Sequence, residues 1–182
     1  MNKFEIVSKY INENGESDIH LPVRATAHSA GYDFEAAETI AIPAYKNYME
    51  TLSDYVAPKI PYPMNELKQV VKMTKLQPTL VPTGIKCKLD PDCYLEISLR
   101  SSTPLNNWMM LANGIGIIDA DYYNNESNEG EIFFQIVNFS PVDQVIQKGD
   151  KIGQGIIKEY FLVEGDAAEG GRTGGFGSTS NE

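Results

Sequence analysis

The sequence predicts an all-β fold, because its apolar segments are short and are separated by Gly, Pro, Asn and Asp. Residues 94–99 alternate regularly, with Leu95 and Ile97 on one face of the predicted strand. Residues 131–139 carry apolar side chains on both faces, which places this strand in a sandwich, in one large core or under a neighbouring subunit. The 182 residues suffice for one domain, and an apolar content of 42% suffices for its core.

Two hairpins are predicted elsewhere in the chain. Residues 145–147 and 152–157 are largely apolar and flank Lys148-Gly149-Asp150, which has the composition of a turn. Cys87 and Cys93 have a spacing that fits opposite arms of a second hairpin, where a disulfide is geometrically conceivable. Because no signal peptide is recognisable at the N-terminus, we expect two reduced, packed thiols and a cytoplasmic protein.

Two segments depart from the strand pattern. Residues spaced at i, i+3, i+4 and i+7 from Leu67 predict a short helix over about residues 65–75, with prolines on both sides. Residues 164–182 are rich in glycine, and Phe176 is their single large side chain. Such a segment cannot form its own core, so we expect a β domain over residues 1–163 and a mobile tail after it. The tail is either simply disordered or a flap that becomes ordered over a ligand.

The charge and the metal-ligand types exclude several functions. Fifteen basic against twenty-five acidic residues give a net charge of -10, which disfavours binding to duplex nucleic acid but leaves room for a nucleotide pocket. No run of about 18 apolar residues is present, so we expect no membrane span. The two cysteines and the two histidines, His20 and His28, lack the spacing of a tetrahedral zinc site.

Four segments carry the residue types of a catalytic or binding site. Asp33 follows a run of small residues, and Arg100-Ser101-Ser102 ends a strand with a cation and hydroxyls suited to phosphate oxygens. Asp119 ends an apolar strand, as a general base or metal ligand would, and an alternative is a cation site shared with Asp121. Gln154 lies between two glycines that expose the backbone. Each segment alone also fits an ordinary turn or the start of a strand.

Taken together, and followed by residues 174–179, these segments resemble the five motifs of the trimeric dUTP diphosphatase (dUTPase) family. The resemblance runs from about residue 27 to residue 180, and residues 113–122 and 174–179 are its most specific stretches. It implies a compact β jelly roll and a homotrimer in which three chains share each active site. It also implies hydrolysis of dUTP to dUMP and pyrophosphate, which removes dUTP and supplies the precursor of dTTP.

The resemblance implies a role for each motif residue. Asp119 corresponds to the general base that directs water at the α-phosphorus, and Tyr122 to the residue packed under the deoxyribose. Asp33 corresponds to the residue that holds a water of Mg²⁺, the implied cofactor. The implied contacts to uracil come from Asn113, Gly116, Ile117, Ile118 and Phe176. The implied contacts to the phosphates come from Arg100, Ser101, Ser102, Gln154, Arg172, Gly177, Ser178 and Thr179, with Gly153 and Gly155 sparing space.

Three features depart from the family pattern. Only Thr173 separates Arg172 from the Gly-Gly-Phe-Gly stretch, where the family usually has two residues. Residues 124–130 replace the usual continuation after the Asp-Tyr pair, and we interpret them as an enlarged hairpin tip without a catalytic role. The predicted helix at 65–75 is also additional, and would cover the trimer or bind a regulatory partner.

Two other functions remain open from the sequence. A dCTP deaminase of the same superfamily shares the fold and the Arg-Ser-Ser motif, but it needs a different acid in the base pocket. A nucleotide-gated regulatory protein with residual dUTPase activity would use residues 65–75 to bind its partner. Pyrophosphate release from dUTP, compared with ammonia release from dCTP, separates the diphosphatase from the deaminase.

Overall fold

The computed structural model describes residues 1–47 and 77–170, and most of their regular structure is β-strand, which confirms the all-β prediction. The strands are β1 (Lys3–Ile6), β2 (Val23–Arg24), β3 (Tyr32–Glu35), β4 (Ile40–Ile42), β5 (Thr79–Pro82), β6 (Ile85–Lys88), β7 (Cys93–Leu99), β8 (Met109–Leu111), β9 (Gly116–Ile118), β10 (Phe133–Asn138), β11 (Gln144–Ile146) and β12 (Lys151–Glu159). A short helix α1 (Ser102–Asn107) follows β7, and 3-10 turns lie at Ser8–Tyr10 and Ala120–Tyr122. The helix predicted at 65–75 lies outside the described residues.

The described strands form four antiparallel sheets. The largest has the order β2-β3-β12-β7-β9, and a second has the order β5-β10-β8. Two strand pairs, β1-β6 and β11-β4, complete the arrangement. Strand β12 is nine residues long and pairs with both β3 and β7, so it sets the register across the middle of the largest sheet.

The core lies between the five-stranded sheet and the sheet of β5, β10 and β8. Phe34 on β3 and Phe134 on β10 are fully buried, and their ring centroids are 5.9 Å apart. Leu95 and Ile97 of β7 are buried in the same cluster. Two sheets that face each other across interdigitating apolar side chains form a sandwich, and burial of this apolar surface is its main stabilising term.

The two strands predicted from their apolar patterns differ in the structure. In β7, buried residues alternate with half-buried ones, as the pattern at 94–99 predicts. In β10, Phe134 and Ile136 are buried, whereas Phe133 and Val137 are only half-buried. Only one face of β10 lies in the core of its own chain, so the interpretation of a strand inside one large core is wrong. The outer face of β10 carries Phe133, Gln135 and Val137, all of which are half-buried.

Both hairpin predictions are wrong. Strand β11 pairs with β4, whereas β12 pairs with β3 and β7, so the turn at 148–150 joins two different sheets. Strand β6 pairs with β1, whereas β7 pairs with β12 and β9, so Cys87 and Cys93 do not lie on paired arms. Consecutive strands are neighbours only about two-thirds of the time, and here the tertiary fold separates them. Both cysteines are free and buried, which confirms the expectation of reduced, packed thiols.

Candidate active site

The five-stranded sheet brings motif residues of three strands side by side. Gln154 on β12 lies opposite Asp33 on β3 and opposite Ser98 on β7. Residues directly opposite each other on antiparallel strands point to the same face of the sheet. Arg100 comes two residues after Ser98, just beyond the end of β7, and therefore follows Ser98 on the same side of the sheet. Together with Lys151 at the start of β12, the residues Asp33, Arg100 and Gln154 are referred to as the Arg100 end of β7.

The charged groups at the Arg100 end are paired within the chain. Lys151 Nζ donates a hydrogen bond to one oxygen of Asp33 at 3.0 Å, and Arg100 Nε lies 3.8 Å from the other oxygen. The Asp33 side chain is 10% exposed, so the two cations offset the free energy that is lost when its charge is buried. The side chains of Arg100 and Lys151 are partly exposed, which leaves both cations accessible to a second anion.

A cavity of about 290 Å³ adjoins these cations. Its polar lining includes Arg100, Ser102, Thr103, Asn107, Asp150 and Lys151. Ser101 and Ser102 are exposed where α1 begins, so both hydroxyls are open to solvent. Cations beside hydroxyl groups have the chemistry of a phosphate site, as the sequence predicts for Arg100-Ser101-Ser102.

The glycines on either side of Gln154 have a different role from the one expected. A Cβ atom at Gly153 would lie 2.1 Å from Cε1 of Phe134, and one at Gly155 would lie 2.8 Å from Cε2 of Phe34. Both glycines therefore make room for core rings rather than for a phosphate. Gly31 is the glycine that makes room for Gln154, because a Cβ atom there would lie 2.5 Å from Gln154 Oε1.

The opposite end of β7 carries the second group of motif residues. Strand β9 pairs with β7, with Gly116 opposite Ile97 and Ile118 opposite Leu95. A Cβ atom at Gly116 would lie 2.6 Å from Ile97 Cγ1, so glycine allows β9 to approach this closely. Ile117 points away from the core and is 48% exposed. Among the described strands β9 is the last of its sheet, so one of its backbone edges faces outward.

Asp119 lies directly after β9, as the sequence predicts. It is half-buried and precedes the 3-10 turn of Ala120–Tyr122, in which the backbone N–H of Tyr122 donates to the Asp119 carbonyl at 3.1 Å. The chain leaves the strand at Ile118, so Asp119 and Asp121 do not share one strand face. The alternative of a joint cation site was based on a shared strand face and therefore loses this support. The described residues contain no group of three or more His, Cys, Asp or Glu residues that could hold a metal ion.

Tyr122 is buried, and residues 124–130 return to it. Its phenol donates a hydrogen bond to the Glu131 carbonyl at 3.0 Å and accepts one from Asn128 Nδ2 at 2.8 Å. Residues 124–130 connect β9 and β10, which belong to different sheets. They are therefore not the tip of a hairpin, as predicted, but a separate structure that is referred to as the Asn loop. Together with Gly116–Ile118 and Asp119, Tyr122 forms the Asp119 end of β7.

A single chain does not bring the two ends together. Ile118 pairs with Leu95, and Arg100 lies five residues further along β7, which corresponds to about 16 Å at about 3.3 Å per residue. For attack on phosphorus, the water oxygen and the phosphorus atom must lie about 3–3.5 Å apart. The residues that hold the water and those that hold the phosphate must therefore also be close to each other. Within one chain, however, the backbone positions of the two ends are well separated along the sheet.

The remaining predicted site residues lie in the turn before β9 and in the tail. Asn113 is exposed in the turn before β9. Five tail residues lie outside the described part of the chain, namely Arg172, Phe176, Gly177, Ser178 and Thr179. A helix long and apolar enough to cross a membrane is not found within 1–47 or 77–170.

Sequence reasoning missed three residues of the two ends. Lys151 stands in the predicted turn before Gln154, but its contact with Asp33 depends on the pairing of β12 with β3. Asn125 and Asn128 both contact Tyr122 from the Asn loop. The repeated asparagines of that loop were the available signal, because Asn side chains commonly bond to nearby backbone in turns.

Comparison with known proteins agrees with this geometry. A family model described as dUTPase matches residues 66–179. The deoxyuridine 5'-triphosphate nucleotidohydrolase of Lactococcus lactis subsp. lactis (strain IL1403) is 38% identical over 178 residues, covering 97% of this chain and 95% of that protein. The crystal structure of the dUTPase from Streptococcus mutans has a TM-score of 0.66 and 32% identity, and the match covers 89% of this chain and 98% of that one.

A more distant neighbour, the dUTPase of Staphylococcus bacteriophage 80alpha, has a TM-score of 0.59 at 16% identity and matches 99% of this chain. This likeness concerns the fold alone. Together with the strand content, the solved neighbours confirm an all-β, jelly-roll-like fold. The relatives act on dUTP, which decides against the dCTP deaminase alternative. The chain therefore belongs to the dUTPase family, and its reaction is the hydrolysis of dUTP.

Proposed function

We propose that Asp119 is the general base of this dUTPase and that its carboxylate takes a proton from the water that attacks the α-phosphorus. The products are dUMP and pyrophosphate. The observation that carries this proposal is the position of Asp119, half-buried and directly after the exposed edge of β9. A carboxylate on a rigid strand end can hold one water in a constant direction. Positioning and charge stabilisation then supply most of the catalysis, as in other phosphoryl transfers.

The outward edge of β9 is well suited to read uracil. Its backbone donors and acceptors at Gly116–Ile118 are fixed by pairing with β7 on the other side. Asn113 lies in the turn that precedes this edge. Cytosine presents the reverse order of donors and acceptors, and a site that forms hydrogen bonds can reject such a mismatch by about 10⁴-fold. Tyr122 follows at the end of the same segment and would pack under the deoxyribose.

The Arg100 end is well suited to hold the phosphates. Arg100 and Lys151 supply positive charge in a protein with a net charge of -10, and Ser101 and Ser102 add hydroxyl donors. Gln154 lies in the same row as Asp33 and supplies an amide donor. Charge-assisted hydrogen bonds of this kind are about twice as strong as neutral ones.

The residues at this end fit a Mg²⁺ ion that the triphosphate carries. Asp33 would contact such an ion through water, because a carboxylate has lone pairs beyond those used by Lys151 and Arg100. The described residues offer no three-ligand cluster, which suits an ion that keeps several waters and takes the rest of its ligands from phosphate. The ion would neutralise charge on the triphosphate when bound.

We further propose that the active enzyme is a homotrimer with shared sites. Leu95, which lies opposite Ile118, and Arg100 are about 16 Å apart along the backbone of one chain, which favours a site whose two ends come from neighbouring chains. The outer face of the β5-β10-β8 sheet also exposes large apolar side chains, including Leu80, Met110 and Phe139. An apolar face of this kind is suited to burial against a second copy of the chain. This burial would also explain the two-faced apolar pattern of β10.

The tail would complete a site on a neighbouring chain. Residues 161–170 are exposed along their whole length, so this segment is not part of the core formed by the described residues. Within the tail of 164–182, Phe176 would stack on uracil, and Arg172, Gly177, Ser178 and Thr179 would contact the γ-phosphate. Because Cys87 and Cys93 are free, we also propose that the enzyme works in a reducing compartment, the cytoplasm.

A substrate screen tests the proposed reaction. Each deoxynucleoside triphosphate and UTP are incubated with the protein and Mg²⁺, and pyrophosphate and ammonia are measured. Pyrophosphate from dUTP, with little from the other nucleotides, is the expected result. Ammonia from dCTP, or equal pyrophosphate release from several nucleotides, would contradict it. The regulatory alternative rests on residues 65–75, which lie outside the described residues, and no described contact favours it.

A further inference from the structure

We infer that the Asn loop (residues 124–130) holds Tyr122 in position, and that Asn128 is thereby a positioning residue for the preference for deoxyribose over ribose. This inference rests on the proposed function, in which Tyr122 packs under the sugar. The loop replaces the continuation that the family usually has after its Asp-Tyr pair, so the device belongs to this chain.

The loop holds Tyr122 at both ends of the residue. Asn128 Nδ2 donates to the phenol oxygen at 2.8 Å, and Asn125 Nδ2 donates to the main-chain carbonyl at 2.9 Å. The phenol also donates to the Glu131 carbonyl at 3.0 Å. Turning the ring outward would break both phenol bonds, and a buried polar group without a partner is costly. The direction of the ring is therefore coupled to the geometry of the loop.

Two of the three asparagines of the loop, Asn125 and Asn128, brace it internally. Asn125 Oδ1 accepts hydrogen bonds from the backbone N–H groups of Ser127 at 3.0 Å and Asn128 at 3.2 Å, and from Ser127 Oγ at 2.6 Å. Asn128 Oδ1 accepts from Asn125 Nδ2 at 2.8 Å and from the Gly130 N–H at 3.0 Å. Asn125 is itself buried. A network in which the buried polar groups all have hydrogen-bond partners is rigid.

The loop is also anchored to the body of the protein. Gly130 has a φ of +80°, and a Cβ atom there would lie 2.4 Å from the Tyr122 carbonyl oxygen, so the returning chain passes directly against Tyr122. On the outer side, the Glu129 carboxylate accepts hydrogen bonds from Ser8 and from Lys86 Nζ, the latter at 3.1 Å. The loop is therefore fixed to Tyr122 on one side and to β6 and the N-terminal segment on the other.

This bracing matters for sugar selection because a small displacement of the Tyr122 ring decides whether a 2′-hydroxyl group fits beside it. Tyr122 is 5% exposed, so little of the residue is accessible to a ligand. A wall that retracts by about 1 Å would admit a 2′-hydroxyl, whereas a ring held at both ends would not. If the loop only stabilised the fold, its disruption would lower stability and leave the preference for dUTP over UTP unchanged.

The test compares kcat/KM for dUTP and UTP in Asn128→Ala. The ratio of the two values should fall by about threefold to tenfold, which is the effect of one hydrogen bond, and KM for dUTP should rise more than kcat falls. Ser127→Ala is the matched control, because it removes a bond within the loop that does not reach Tyr122. The control should keep the ratio of the wild type. An unchanged ratio in a folded Asn128→Ala would overturn the inference, even if its Tm is lower.

Tyr122→Phe provides a second route to the same hydrogen bond and serves where Asn128→Ala does not fold. It keeps the ring and removes the phenol oxygen, so it should lower the dUTP to UTP ratio by a similar factor. Because Tyr122→Phe also removes the bond to the Glu131 carbonyl, the double variant should lower the ratio no further than Tyr122→Phe alone, and full additivity would overturn the inference. A wild type without any preference for dUTP would instead sink the proposed sugar contact. If the wild type prefers dUTP and both variants keep its ratio of kcat/KM for dUTP to that for UTP, only the role of the loop would be contradicted.

Discussion

The two ends of β7 hold their functional residues by different means. At the Arg100 end, Asp33 is held by ion pairs from Lys151 and Arg100, two long side chains that are partly exposed. At the Asp119 end, the positions come from strand pairing and from short buried hydrogen bonds to Tyr122. Partly exposed cations can turn toward a second anion while they stay near buried Asp33, whereas a buried hydrogen-bonded network keeps its geometry.

This difference matches what each end has to recognise. Phosphate oxygens are charged and can be approached from several directions, so partly exposed cations that contact a second anion beside Asp33 are suited to them. A base and a sugar are distinguished by their shape and by the order of their donors and acceptors, so rigid backbone is suited to them. The chain separates the two tasks by about 16 Å along β7, and we expect assembly of the trimer to join them.

The largest effect is expected at the Asp119 end. Asp119→Asn keeps the shape of the side chain but removes the base, so kcat should fall by about 10²-fold or more. The affinity for a non-hydrolysable dUTP analogue, measured by calorimetry, should stay within a few-fold of the wild type. Arg100→Ala should instead weaken binding of the analogue as well as turnover. Turnover of Asp119→Asn within a few-fold of the wild type would show that another group is the base.

Mixing these two variants tests whether the ends act from different chains. In a cyclic trimer assembled from equal amounts of Asp119→Asn and Arg100→Ala chains, about a quarter of the sites should combine two intact ends. Activity should therefore rise from near zero to about a quarter of that of the wild type after subunit exchange. Absence of recovery in trimers that are verified as mixed by mass spectrometry would place both ends in one chain.

The tail residues should divide between the two ends. If Arg172 joins the phosphate-binding groups, Arg172→Ala should weaken binding of dUTP by about tenfold or more and leave dUMP almost unaffected. Phe176→Ala should weaken both ligands, because stacking on uracil does not depend on the number of phosphates. Equal losses for dUTP and dUMP in Arg172→Ala would show that the arginine only anchors the tail. Inserting one glycine after Thr173 should be tolerated.

A smaller effect is expected from the glycines beneath the Arg100 end. Gly153→Ala should lower the free energy of unfolding by about 1–3 kcal/mol, because its Cβ would meet a ring atom of Phe134 at 2.1 Å and the Ser98 carbonyl oxygen at 2.7 Å. Gly155→Ala should cost less, because its nearest neighbours are side-chain atoms at 2.8 and 2.9 Å. Denaturant unfolding measures both. A larger loss of unfolding free energy for Gly155→Ala than for Gly153→Ala would contradict this. It would mean that β12 can shift at Gly153 although it is paired with β3 and β7.

The smallest effect concerns the anchor of the Asn loop. The hydrogen bond from Ser8, together with that from Lys86, lowers the pKa of Glu129 below its ordinary value of 4.5. The carboxylate is therefore favoured by folding, and its contribution to stability is present above about pH 4.5 and is lost as the pH falls through the lowered pKa. The Tm of Glu129→Gln should consequently fall less steeply with acid than that of the wild type. Identical slopes would show that this anchor carries no stability.

The local sequence pattern predicted the burial and the strand position of a residue correctly where these depend on its immediate neighbours in the chain. The alternation at 94–99 predicted which side of β7 is buried, and the apolar run before Asp119 placed that carboxylate at a strand end. The motif residues Asp33, Arg100 and Gln154 were also identified from sequence, although not the distance between them. The predicted burial pattern of β7 was confirmed because side chains alternate along any strand, whatever it pairs with.

By itself, the sequence therefore determined the all-β class, the family and the identity of the motif residues. Only the tertiary structure decided the partners: β11 with β4 instead of β12, Gly153 under Phe134, Lys151 on Asp33 and Asn128 on Tyr122. Strand pairing joins residues far apart in the chain, and one set of local preferences is compatible with several such pairings. The choice among them is made by the packing of the whole core, and no short segment contains that information.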